Sequence, residues 1–203
     1  MGVGVSLHPL ASAVAREGGI GIVSSAALDR LVSKRTGKKL KTYEAVYEEI
    51  SLAKANGGIA GINIMVALVQ DYDDSVRGAI DAKADIIISG GGLPMNLPSV
   101  YPPGDTALVP IVSSPRALEL ICKKWERWSY RPDAVVLEGP LAGGHLGFRF
   151  DELELESNKL ENLLPKVKDV AAKYGDFPVI VAGGIFDHQD ILRFLTLGAD
   201  GVQ

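Results

Sequence analysis

The sequence predicts an α/β fold, a (β/α)8 TIM barrel, and three observations predict it. Short apolar runs such as Ala134-Val135-Val136-Leu137 and Pro178-Val179-Ile180-Val181 are the length of strands buried on both faces. They leave through small residues: Ser24-Ser25, Ser89-Gly90-Gly91-Gly92, Ala182-Gly183-Gly184. Between them lie segments of helical period, most closed by a glycine, and most copies of the unit recur at about 20–25 residues. Strict alternation of strand and helix gives a parallel sheet.

Taken in order, Ser6 is placed to cap a helix from about His8 to Glu17, with Leu7, Leu10, Ala11 and Val14 on one face and Gly18 as its stop. Gly19–Val23 reads as a strand. Residues 29–41 carry Lys34, Arg35, Lys38, Lys39 and Lys41 around Gly37. They read as a solvated surface loop, with a basic lid over a phosphate-bearing ligand as the alternative. Thr42 is expected to cap the next helix, with Val46, Ile50 and Ala53 inward. Ile59–Val66 follows as a strand that contains Gly61 and Asn63; the Asn63 amide needs partners, in a neighbouring loop or in a ligand.

A helix opening at Asp73 or Asp74 and running to Ala82 leads to the strand Ala84–Ile88. Residues 93–106 read as a Pro/Gly-rich loop, and Leu108–Val112 as a strand. Ser114-Pro115 is an N-cap and first-turn pair for a helix that turns Leu118, Ile121 and Trp125 inward. Residues 148–159 are acidic and irregular, an excursion or lid. Leu160–Tyr174 is helical, and Asp187 caps a last helix through Leu197. Gly201-Val202 begins another strand. The count is six complete strands and a seventh begun, in one domain over residues 1–203, which reads as a barrel trimmed inside its first and last strands.

Composition narrows the function. Of 203 residues, 47% are hydrophobic and 23% charged, and a net charge of -4 gives no electrostatic reason for a nucleic-acid partner. No apolar run has the roughly 20 residues of a membrane helix, and no signal peptide is evident. The one cysteine, Cys122, precludes an internal disulfide and fits a reducing, cytoplasmic setting. His8, His145 and His188 lie too far apart to make a metal motif, so no metal site is expected. Gly2-Val3-Gly4 opens a dinucleotide fingerprint that fails at Leu7.

What remains is a set of Gly-rich strand exits. The most informative is Glu138-Gly139-Pro140-Leu141-Ala142-Gly143-Gly144-His145-Leu146-Gly147. It puts a histidine among glycines on a loop after a strand, where α/β barrels carry their chemistry. Ala182-Gly183-Gly184-Ile185, followed by a helix near Asp187, has the form of a barrel phosphate site.

These elements, with Met1-Gly2-Val3-Gly4, Gly61-Ile62-Asn63-Ile64 and Gly198-Ala199-Asp200-Gly201-Val202-Gln203, resemble the nitronate monooxygenase (2-nitropropane dioxygenase) family of FMN-dependent TIM barrels over nearly the whole chain. The resemblance implies FMN held at the Met1-Gly2 turn, by Asn63, at the Ser89-Gly90 turn, by Ala142-Gly143, at the phosphate by Gly183-Gly184, and at Gln203. It implies His145 as the catalytic base or positioned polar group. The implied reaction is oxidation of an alkyl nitronate by O2 to a carbonyl compound and nitrite. The chain departs from many members in carrying Pro110-Ile111-Val112 where they place a lysine. A related alternative is the FMN- and NAD(P)H-dependent enoyl-ACP reductase, whose substrate is an enoyl thioester. A barrel that binds flavin or phosphate without catalysis is another. A homo-oligomer is compatible with each.

Overall fold

A computed structural model describes residues 2–203 of the chain; Met1 lies outside the described residues. The chain divides into two compact units. The first comprises Met1–Gly90 and Leu97–Leu108, the second Gly91–Asn96 and Val109–Gln203.

In the first unit, strands β1 (Ile20–Ser24), β2 (Ile59–Met65) and β3 (Ile86–Gly90) are parallel and lie in chain order. Helices α1 (His8–Arg16), α2 (Leu28–Thr36), α3 (Thr42–Lys54), α4 (Val69–Asp81) and the short α5 (Leu97–Val100) accompany them. Ile62, Ile64 and Ile87 from the strands and Leu28, Val46, Ile50 and Val76 from the helices are buried almost completely, and they form the core. Gly21 decides how closely α1 approaches β1. A Cβ there would collide with the Ala11 carbonyl, so no other residue permits this packing.

The second unit holds the rest of β4 (Ala107–Val112) from Val109 onward, then β5 (Val135–Glu138), β6 (Val179–Ala182) and β7 (Gly201–Val202). These too are parallel and in chain order, with Val112 beside Leu137, Val136 beside Ile180 and Val181 beside Val202. Helices α6 (Pro115–Trp125), α7 (Leu160–Lys173) and α8 (His188–Thr196) alternate with them. A doubly wound sheet reverses its strand order at a switch point. Chain order within each unit is the barrel topology instead.

Each unit uses the same device to fix a strand. Asp85, just before β3, accepts from the Ala60 N–H of β2 at 2.8 Å and from Lys54 Nζ of α3 at 2.6 Å. Asp200, just before β7, accepts from the Val179 N–H of β6 at 2.7 Å and from Lys168 Nζ of α7 at 2.8 Å. The two Ala-Asp dipeptides at 84–85 and 199–200 therefore satisfy a donor in the first two residues of the preceding strand.

Several local expectations are corrected. Residues 29–36 are helical, within α2, and not a loop; Gly37 at φ 70° ends that helix. Arg35 leaves the basic cluster to pair with Glu48 and Glu49. Ser6 and Thr42 do not cap: α1 starts after Leu7 and α3 after Lys41. The Thr42 hydroxyl instead donates to Asp71 at 2.6 Å, joining α3 to α4. α4 begins at Val69, ahead of Asp73, and the 93–106 segment includes α5. The 148–159 stretch forms two 3-10 turns, Phe150–Glu152 and Glu156–Asn158. Ser114 and Asp187 do cap, accepting from Ala117 N–H and from Gln189 and Asp190 N–H.

Candidate active site

The second unit contains a cavity of about 450 Å3 at the carboxyl ends of β4 and β5. Ser113 and Ser114 enter it from the exit of β4, Glu138 from the end of β5, and His145 from the loop that follows. The glycines of that loop have distinct jobs. Gly144 sits at φ 86°, where a side chain is strained, and Gly147 lies against Ser113 so closely that a Cβ would press on its hydroxyl. Ala142 N–H closes the turn on Gly139 O at 3.1 Å. His145 itself is exposed to solvent.

Glu138 is fixed more firmly. It is the last residue of β5, paired in register with Ala182, and the next N–H, that of Gly139, donates to Ala182 O at 2.9 Å. Its carboxyl is half-buried, and burial raises its pKa above the usual carboxylate range. No hydrogen bond or ion pair engages it among the described residues. Sequence reasoning placed Glu138 at the head of the Gly-rich exit, just after the strand, and did not name it as a site residue. The available signal was an acid closing an apolar strand that would otherwise be wholly buried.

Ala142 and Gly183 are neighbours: a Cβ on Gly183 would lie 2.8 Å from the Ala142 nitrogen. Gly183 and Gly184 hold φ 97° and 76°, two consecutive residues in the left-handed region. The N–H groups of Gly183, Gly184 and Ile185 meet no protein acceptor among the described residues. At Gly143 a Cβ would find nothing within 4 Å, so the backbone faces open space. Gln203 N–H bonds to Val181 O at 2.8 Å and extends the β6–β7 pairing. Unpaired N–H groups beside open backbone suit a phosphate and a flat ring, so the residues present fit the FMN that the sequence implied.

The remaining sequence-stated positions lie in the first unit. Asn63, two residues before the end of β2, stands beside Ser24 at the end of β1. Asn63 is buried, its carbonyl accepts from Ser25 N–H, and its side-chain amide has no partner among the described residues. The Ser24 hydroxyl is buried without a partner as well. The Ser89 hydroxyl is engaged, 3.0 Å from Tyr72 OH and donating to Ile64 O at 3.2 Å. Burial pushes the Tyr72 phenol up to about 12. Gly90 O accepts from Val66 N–H, and Gly2 O accepts from the Val5 and Ser6 N–H groups. The Met1 position lies outside the described residues.

No group of three or more metal-ligating side chains occurs among the described residues, and no described helix is long and apolar enough to cross a membrane.

The family model for nitronate monooxygenase matches residues 1–203. A probable nitronate monooxygenase of Bacillus subtilis (strain 168) is 27% identical over 226 residues, covering 100% of this chain and 62% of the relative. FabK from Thermotoga maritima superposes with a TM-score of 0.73 at 28% identity, covering 98% of this chain and 53% of that one. A nitroalkane oxidase from Streptomyces ansochromogenes superposes with a TM-score of 0.75 at 22% identity, covering 100% of this chain and 62% of that one. The chain thus spans less than two thirds of the length of these relatives. Matched from Met1 to Gln203, and folded as parallel strands and helices in barrel order, the chain belongs to the nitronate monooxygenase family.

Proposed function

We propose that this chain is the flavin-binding part of an FMN-dependent oxidoreductase of nitronate monooxygenase type, which oxidises alkyl nitronates with O2 to a carbonyl compound and nitrite. The observation that carries the reading is His145, set on the Gly-rich exit of β5 and lining the same cavity as Glu138. Family membership supports the flavin and the class of reaction.

The chain's own residues bind, orient and manage protons. The unpaired N–H groups of Gly183, Gly184 and Ile185 would take the cofactor's phosphate, whose charge they complement. The open backbone at Gly143 leaves room for a flat ring. The redox chemistry would be supplied by FMN, as the carrier of electrons between nitronate and oxygen. His145 holds the nitronate by a hydrogen bond from its ring N–H, or takes the α-proton when the neutral nitroalkane is the form that binds. Its exposure on the loop leaves it open to an entering substrate.

The test is the visible spectrum of the purified chain with added FMN, followed by anaerobic addition of ethyl nitronate and, separately, of NADH. The expected result is a bound-flavin spectrum that the nitronate bleaches and NADH does not. Bleaching by NADH instead would sink the monooxygenase reading in favour of a reductase acting on an enoyl thioester.

A further inference from the structure

Among the side chains that line the His145 cavity, Glu138 is the one whose charge is not yet explained. The lining from residues 91–93, from β4 and the first turn of α6, and from the 145–147 loop contributes one other titratable side chain, His145, and no lysine or arginine. No partner among the described residues takes the Glu138 carboxyl by hydrogen bond or ion pair. A half-buried carboxyl without a partner is costly when ionised. A strand end is also a rigid mount, held here by the register with Ala182 and the Gly139 bond. Such a group is well placed to contact what enters the cavity.

We propose that Glu138 contacts the substrate beside His145 and filters it by charge. As the neutral acid it donates a hydrogen bond to an oxygen of a small anion, a nitronate or carboxylate; as the carboxylate it repels the same anion. The proposal rests on reading this cavity as the substrate's.

The first turn of α6, which reaches the cavity through Ser114 and Ala117, favours anions at every pH and so sets a constant background. His145 is the other titratable side chain that faces the cavity. The two are separated by substitution. Burial moves the changeover upward from the ordinary carboxylate range, outweighing a smaller opposing pull from the chain's amino-terminal charge, so the neutral, anion-accepting form persists to higher pH than it does for a solvated glutamate.

The experiment is a ligand-observed NMR titration of the FMN-supplied chain with propionate, an unreactive carboxylate with the outline of ethyl nitronate, and with its neutral counterpart propionamide. It runs from about pH 5.5 to 8.5 on the wild type, Glu138→Gln, Glu138→Ala and His145→Gln. In the wild type, propionate affinity should fall with rising pH, approaching about tenfold per unit once Glu138 ionises. Glu138→Gln keeps a donor that cannot ionise, so most of the slope should be lost. Glu138→Ala should bind propionate about 3- to 10-fold more weakly than Glu138→Gln across the range. Propionamide should show little dependence on pH. The proposal is overturned if Glu138→Gln keeps the wild-type slope, or if the whole slope disappears in His145→Gln. Nitronate bleaching of the flavin is a separate readout. Bleaching with an unaltered slope in Glu138→Gln removes the charge filter alone, and the predicted slopes without bleaching remove the nitronate reading alone.

Discussion

Arg35 Nη1 donates to Glu49 Oε2 at 2.6 Å, and the Glu49 side chain is completely buried. The other carboxylate oxygen accepts from the His8 N–H at 2.6 Å, the first residue of α1. One buried acid on α3 therefore ties down the start of α1 and the end of α2. Removing the guanidinium leaves that acid underpaired in the interior, which costs far more than losing a surface ion pair. Arg35→Ala should lower stability by about 1–3 kcal/mol in urea denaturation. Glu48→Ala, which breaks only the more exposed contact of the same arginine, should cost at most about 1 kcal/mol. Equal losses would mean that burial of Glu49 is not the source of the effect.

Asp200 links pH to stability. Burial alone would raise its pKa, but the hydrogen bond from Lys168, the Val179 N–H and the lysine charge outweigh that and hold it below the ordinary value. A depressed folded-state pKa means that the contribution is present above the unfolded value, about 3.9, and is lost as pH falls through the folded one. Denaturation midpoints of Asp200→Asn and wild type should therefore differ at neutral pH and draw together as pH falls below the ordinary carboxylate value of about 3.9. A constant difference at all pH values would assign the loss to the hydrogen-bond geometry and not to the charge.

Gly183 is the position where the proposed flavin contact and the backbone conformation meet. At φ 97°, alanine is strained, and its Cβ would lie 2.8 Å from the Ala142 nitrogen. Gly183→Ala should weaken FMN binding at least about tenfold, read by quenching of flavin fluorescence on titration. Gly198→Ala is the control, because it shares a positive φ and a Cβ there meets nothing within 4 Å. It should cost stability without changing FMN affinity.

For His145, substitution by alanine should reduce nitronate turnover by about 100-fold or more while the flavin spectrum of the bound protein is kept. The imidazole reaches the cavity from an exposed loop, so its loss removes no core contact. Turnover at the wild-type rate would show that this histidine neither positions substrate nor moves a proton.

The sequence by itself determined the alternation. Apolar runs near 59–65, 135–138 and 179–182 are strands because Val and Ile fill a sheet buried on both faces, and glycines end most of the helices between them. Ser114 and Asp187 were legible as caps because a short polar side chain before a helical period has one efficient use. His145 and Gly183-Gly184 stand out in the sequence because their neighbours are too small for any ordinary core. Tertiary structure decided what local pattern could not. Thr42 has the chemistry of a cap, but Asp71, 29 residues away, takes its hydroxyl. Arg35 looked like one of five loop cations until Glu49 was folded beneath it. Glu138 enters the proposed site only because the 145–147 loop and the exit of β4 line one cavity with it. In each case the partner is distant in sequence, and the free energy of a buried polar group depends on that partner and not on its neighbours along the chain.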